Sequence, residues 1–219
     1  MQRLLAVTLS MFLGLSVGSL CFASEDGDWQ LWSSGSVEGN VTECWKLKLE
    51  QQFRLGDGMA DLYYRYTDIG ATWKAVPWFN LGWNYGHLYQ KKKGVWKEEN
   101  RPHINGTLVW RWHGVQIEDR NRLERRIRED AEDLWMYRNK LALGLPIGLT
   151  RFDIQLHVAQ EMFVNLDESD VYRNRLSAGW KAEVAPFLKV DVLYHWQSTR
   201  AVGNWIDDHV IGVHLRVAM

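Results

Sequence analysis

The densest chemistry in this sequence is a run of polar and charged residues at every second position: Gln116, Glu118, Arg120, Arg122, Glu124, Arg126 and Arg128. Spacing of two puts all seven side chains on one face of a β-strand. Arg138, Lys140, Arg173, Arg175 and Lys181 extend the basic set, while Glu50, Asp153 and Glu161 supply acids. Two kinds of chemistry fit these residues. Lining a narrow pore, they would raise the local anion concentration and make a basic, porin-like constriction. Paired with one another, they would form a ladder of bidentate Arg–carboxylate contacts that fills the interior and seals it. A barrel of about ten strands has little room for an aqueous channel, which favours the ladder.

Nucleophilic chemistry finds less support. A lipid hydrolase at a membrane surface would need His and Ser side by side, and His195 with Ser198 is the nearest match. Their spacing of three places them on opposite faces of a regular strand, so Ser198 cannot readily pass a proton to His195. His209 and His214 are split between faces in the same way, so no metal site is expected. The acidic stretches Glu129 to Asp133 and Asp167 to Asp170 lack the regular ligand spacing of a calcium loop and read as solvated loops. Lys91-Lys92-Lys93 reads as a mobile basic loop near lipid phosphates. The expectation is a protein without catalytic residues, metal or cofactor.

The elements that must carry these residues are strands. Beyond Ser24, period-two alternation recurs through nearly the whole chain and helical periodicity is absent. Trp45, Leu47, Leu49, Phe53 and Leu55 share one face, opposed by Lys46, Lys48, Glu50, Gln52 and Arg54. Phe79, Leu81, Trp83, Tyr85 and Tyr89 oppose Asn80, Gly82, Asn84, Gly86 and Gln90. The pattern recurs from His103 to Trp112, from Arg151 to Met162, from Leu188 to Gln197, and from Ile211 to Met219. Strands of about 10 to 14 residues exceed the usual globular length and suit a tilted membrane crossing. Ten strands are clear from Glu43 onward, and a weaker one covers Trp29 to Val37. Eleven is awkward for a bacterial barrel, so the first segment is expected inside or along the barrel unless a strand is missing from the count.

Connections alternate between tight and long. Ala75 to Trp78, His113-Gly114, Pro146 to Gly148 and Glu183 to Pro186 form the tight set. Lys91 to Glu99, Glu129 to Asp133, Asn165 to Asp170 and Ser198 to Asp207 form the long one, expected at the cell exterior. Tyr137-Arg138-Asn139-Lys140-Leu141 recurs as Tyr172-Arg173-Asn174-Arg175-Leu176, one hairpin later. A looser copy at Tyr64-Arg65-Tyr66 reaches its glycine one residue early, which predicts a β-bulge between Arg65 and Ile69.

Composition narrows the setting. A net charge of −1 excludes a general nucleic-acid binder, which needs a basic excess. Residues 1–23 read as a cleaved signal peptide, with Arg3 as the positive start, Leu4 to Leu20 as the apolar run and Ala23 at the cleavage site. Residues 24–219 then make a single domain in which Cys44 has no disulfide partner. The thirteen Trp concentrate, with Tyr and Phe, near strand ends. Trp73, Trp78 and Phe79 lie towards one side, with Tyr89, Trp135, Tyr137, Tyr172, Tyr194 and Trp196 towards the other, like two membrane girdles. Five large apolar side chains per strand would overfill a small barrel, so the apolar face is expected to look outward.

Glu50-Gln51-Gln52-Phe53-Arg54, the two Tyr-Arg-Asn-basic-Leu repeats, Gln160-Glu161-Met162-Phe163 and Leu193-Tyr194-His195-Trp196 resemble an uncharacterised bacterial family. That family is catalogued as a domain of unknown function and predicted to form outer-membrane barrels, and the resemblance implies no activity. The sequence therefore points to an all-β fold, a transmembrane up-and-down antiparallel β-barrel of 10–12 strands in a bacterial outer membrane. Membrane lipids, lipopolysaccharide and the outer-membrane assembly machinery are its expected partners. A narrow channel, a structural barrel with a closed lumen, and a lipid-modifying enzyme remain as functional classes.

Overall fold

The computed structural model describes residues 26–129, 131–147, 154–201 and 203–219. The expected signal peptide, Asp153 and the end of the Pro146 to Gly148 turn lie outside them. Eleven strands follow one another: β1 (Asp28–Asn40), β2 (Trp45–Gly56), β3 (Asp61–Val76), β4 (Phe79–Lys92), β5 (Val95–Trp112), β6 (Val115–Arg128), β7 (Leu134–Ile147), β8 (Ile154–Asn165), β9 (Asp170–Ala185), β10 (Leu188–Arg200) and β11 (Trp205–Ala218). They close into one barrel in which each strand pairs with its sequence neighbours. The rim bearing the β3–β4, β5–β6 and β9–β10 connections is called the turn rim here, and the opposite one the loop rim.

The weak first segment is a full member of the wall. β1 pairs antiparallel with β2 and parallel with β11, from Asp28↔Asp208 to Glu38↔Ala218. An odd meander closed on itself has to place its first and last strands side by side in the same direction. All other seams are antiparallel. The expectation that this segment lies inside or along the barrel is thus corrected: Gln30, Trp32 and Ser34 face inward like any other wall strand. Its signal was faint because Ser33-Ser34-Gly35-Ser36 interrupts the apolar alternation.

Side chains sort as the alternation predicts. Leu47, Leu49 and Ile69 are each more than half exposed on the outside, whereas Gln52, Glu124 and Glu161 on the inner faces of β2, β6 and β8 are buried. Outer Trp residues cluster at the turn rim, where Trp45 stacks on Trp73 and Trp83. This inverts a soluble protein and suits hydrocarbon outside.

Four local expectations change. In the Ser198 to Asp207 segment, Ser198 to Arg200 belong to β10 and Trp205 to Asp207 to β11, paired from Ser198↔Asp207 to Arg200↔Trp205. The Lys91 to Glu99 segment is not a long loop: β4 runs through Lys92, β5 starts at Val95, and Lys93-Gly94 turns between them with φ of 50° and 80°. Two successive left-handed residues make the tight hairpin turn that matches strand twist, as His113-Gly114 does at the other rim. No bulge lies between Arg65 and Ile69, which pair in unbroken register with both neighbours. The β2–β3 register shifts instead where Arg54 faces Tyr64 and Leu55 faces Leu62, leaving Tyr63 as the extra residue. A second shift, between Phe163 and Val164, leaves Tyr172 extra in β9. Both bulges sit near the loop rim, and each turns an additional aromatic ring inward. Tyr172 therefore belongs to the interior and not to the outer girdle.

Candidate functional site: a belt of arginine and glutamate beneath a cavity

Because the inner faces are in register, hydrogen-bonded rows of lumen residues climb around the wall. One such row runs Thr107, Arg120, Lys140, Glu161, Arg175, Gln197, Asp208 and Asp28 across eight strands. The next begins Asn105, Arg122, Arg138, Phe163, Arg173 and Thr199. The period-two charge of β6 and the two Tyr-Arg-Asn-basic-Leu repeats of β7 and β9 are thereby brought into one layer.

Glu161 is its centre. Its Oε1 accepts from Arg120 Nη2 at 2.6 Å and Arg138 Nη2 at 2.7 Å, and its Oε2 from Arg175 Nη1 at 3.1 Å. Arg138 also reaches Glu124 at 3.4 Å, and Arg122 pairs with Glu124 at 3.7 Å. Glu99 binds Arg101 through Oε1 at 2.6 Å and takes a bidentate contact from Arg126. Polar contacts continue from there around the barrel. Arg122 Nε donates to Asn105, Asn105 to Asn84, and Asn84 to Asp68. On the other side Arg175 donates to Gln197 at 2.6 Å, Gln197 to Asp208, and Gln30 to Asp208, while Trp32 Nε1 and Tyr63 Oη donate to Gln30. Charge-assisted, multiply satisfied contacts of this kind are the strong ones inside a low-dielectric interior.

The residues expected in the lumen are thus mostly there and mostly paired. Lys140 and Glu118 face inward without forming an ion pair among the described residues. Arg128 leaves the layer and donates to the Glu132 carbonyl in the β6–β7 connection. Sequence reasoning missed Glu99 and Arg101 because it placed the start of β5 in a loop. It missed Gln30, Gln197 and Asp208 because neutral or isolated polar residues carry no periodic charge signal.

Above this belt, towards the loop rim, the barrel holds a cavity of about 540 Å³. Basic side chains outnumber acidic ones on its walls by ten to five, and Glu99 and Glu161 of the belt pair with four of the ten, Arg101, Arg126, Arg138 and Arg175. Tyr63, Tyr64, Phe163 and Tyr172 add aromatic surface. Arg54 lies 3.7 Å over the Trp32 ring and 4.1 Å over that of Tyr64, and its Nε and Nη2 donate to Gln52. Arg173 packs over Tyr172 and Phe163 and donates to Thr199.

The His–Ser question resolves differently from the sequence reading. Ser198 and His195 do fall on opposite faces, but His195 Nδ1 shares a 2.6 Å hydrogen bond with Ser177 Oγ across the β9–β10 seam. Ser34 and His214 form a like pair at 2.6 Å across β1–β11. Sequence-local spacing could not find either pair, because adjacency comes from strand pairing. Both face the lumen, away from the outer surface, and His195 packs against Trp32 with no described carboxylate in an ion pair to orient it. Among the described residues no group of three or more His, Cys, Asp or Glu is placed to hold a metal ion.

Three solved structures are similar in fold. LpxR from Salmonella typhimurium is 9% identical, with a TM-score of 0.49 over 78% of this chain and 83% of that one. The β domain of the Bordetella autotransporter BrkA is 12% identical, with a TM-score of 0.48 over 77% and 82%. The siderophore receptor PirA from Pseudomonas aeruginosa is 18% identical, with a TM-score of 0.30 over 74% of this chain and 32% of that one. No curated protein matches the sequence. A family model matches residues 29–207, and by that match the chain belongs to the family described as protein of unknown function, DUF2490.

Proposed function

We propose that this chain is an integral β-barrel of a bacterial outer membrane whose lumen is kept closed by the arginine–glutamate belt. It serves as a structural or interaction barrel of the envelope and not as a porin-like diffusion channel. The supporting observation is burial inside the wall: Trp32, Glu124 and Glu161 are only 2–3% exposed although all three point into the lumen. A water-filled channel at that level would wet them. The apolar outer surface supports the location, since such a wall is matched to acyl chains and lipopolysaccharide. The in-step Ile211, Val213, Leu215 and Val217 of the last strand are the features an assembly machinery would read. No catalytic turnover is proposed, because the Ser177–His195 pair is enclosed within the lumen.

Purified, refolded protein in planar bilayers tests the closure. We expect no steady open-channel conductance from the native barrel, and an ohmic conductance in every insertion would overturn the proposal. Cell fractionation combined with gel migration before and after heating tests the location, with a heat-modifiable band in the outer-membrane fraction as the expected result.

A further inference from the structure

The belt pairs nearly all of its charges, yet two arginines just above it have no acid. Arg54 of β2 and Arg173 of β9 make no ion pair among the described residues. Every hydrogen bond they donate goes to a neutral side chain, Gln52 or Thr199. Neither is explained by closure, because a guanidinium held in a confined space without a counter-charge weakens a plug. Their planes are instead fixed by aromatic rings, Trp32 and Tyr64 for Arg54 and Phe163 and Tyr172 for Arg173. Stacking of this kind orients the guanidinium and leaves part of its donor edge free, and the planar fork suits carboxylate or phosphate oxygens.

Both side chains line the cavity at the loop rim, together with Arg126 and Lys93 and the two inward rings supplied by the bulges at Tyr63 and Tyr172. The bulges matter to the inference. Without them Tyr63 and Tyr172 would point out of the barrel, so the chain departs from regular register at two separate strands with one effect, aromatic surface beside unpaired arginine.

We infer that this cavity is a binding site for a small organic oxyanion, its phosphate or carboxylate held between Arg54 and Arg173 and its body against the Tyr63 and Tyr172 rings. A volume of about 540 Å³ falls in the usual range for sites that enclose a single small molecule. The occupant is an anion because the two stacked guanidiniums of Arg54 and Arg173 meet no acid among the described residues. It has a flat or apolar part because two arginines and bare water would not require the inward rings. The inference rests on the closed-lumen reading only in treating the belt as the floor of the site.

Phenyl phosphate combines the two features, and phenol and inorganic phosphate separate them. Titration calorimetry on the folded barrel in neutral detergent should show phenyl phosphate binding tighter than inorganic phosphate, with phenol not detected. Affinity should fall as salt is raised. Arg173→Gln and Arg54→Gln should each weaken binding at least tenfold, whereas Arg173→Lys, which keeps the charge, should weaken it only a few-fold. Lys48→Gln, in the turn-rim half beside Glu50, should leave it unchanged. Heat-modifiable gel migration verifies that each variant is folded. Undiminished binding in both glutamine variants, equal binding of phenol, or no binding to the native barrel would overturn the inference. Displacement of phenyl phosphate by added lipopolysaccharide would identify a lipid headgroup as the source of the anion, and persistence would identify a free solute. A barrel that conducts but binds in this way would sink the closed lumen and leave the site standing.

Discussion

Glu161 and Arg120 occupy one contact but have opposite importance. Glu161 faces Arg120, Arg138 and Arg175 from a position only 3% exposed, so removing its charge leaves Arg120 and Arg175 without an acid and Arg138 with Glu124 alone. Arg120 has the single acid Glu161, and its Nε is buried with no partner. Removing one partner of a buried ionic group costs roughly 3–5 kcal/mol when it leaves a charge uncompensated, and loss of Arg120 does not do so, because Glu161 keeps Arg138 and Arg175. Glu161→Gln should therefore lower the unfolding free energy of the detergent-refolded barrel, read by denaturant titration, by about that amount, and Arg120→Met by clearly less. Equal losses would mean that the network shares its charge evenly and has no centre. At this scale the sequence was legible where charge was periodic. The β6 run, Arg138, Arg175 and Glu161 announce themselves by spacing alone. Which acid serves which base was not legible, because Glu161 meets Arg120 across two strands and its partners are chosen by register.

The wall formed by β6 to β9 departs from a simple apolar exterior. Asn121 of β6 and Asn139 of β7 are register partners on the outer face at mid-strand, with Asp119 and Tyr137 beside them. Asn139 Nδ2 donates to Asp119 at 2.6 Å and to Asn121 at 3.1 Å, and Tyr137 Oη donates to Asn121. Gln160 of β8 donates to Asn174 of β9 at 2.7 Å. These amides satisfy one another, which is the condition for polar groups to face hydrocarbon. Asn139→Leu should strand Asp119 and destabilise the barrel by about 1–3 kcal/mol, and the triple change Asp119→Leu, Asn121→Leu, Asn139→Leu should recover most of it. A stepwise fall through the triple variant would show that the seam binds something other than itself. The elements themselves were nearly all readable, since alternation over a dozen residues fixes both strand and face. What escaped was anything that costs only one residue. The extra residues at Tyr63 and Tyr172 leave the surrounding pattern intact, and the Lys93-Gly94 turn hides inside a charged stretch that looks like a loop.

Closure as a whole follows from strand count and polarity together. Eleven strands leave one parallel seam between β1 and β11, and that seam holds because Gln30, Trp32 and Asp208 tie its inner side into the belt while Trp29 stacks on His209 outside. A barrel whose inner faces are cross-linked by charge and whose outer faces are mostly apolar has its stability divided between two solvents. The same substitution must then act unequally on the two faces. Leu49 is 51% exposed on the outside near the middle of β2 and Leu156 43% exposed on the outside nearer the turn-rim end of β8, while Gln52 and Gln155 face the lumen on the same strands. An arginine facing the middle of a bilayer costs roughly 2–4 kcal/mol. Leu49→Arg should sharply reduce the heat-modifiable, membrane-inserted fraction, and Leu156→Arg, nearer the turn rim, should reduce it to a smaller extent. Gln52→Arg and Gln155→Arg should reduce it much less, because charge there joins an interior already built from charge. Equal assembly of all four variants would place water on both sides of the wall, and the outward Leu and Trp rows would then have to be covered by protein.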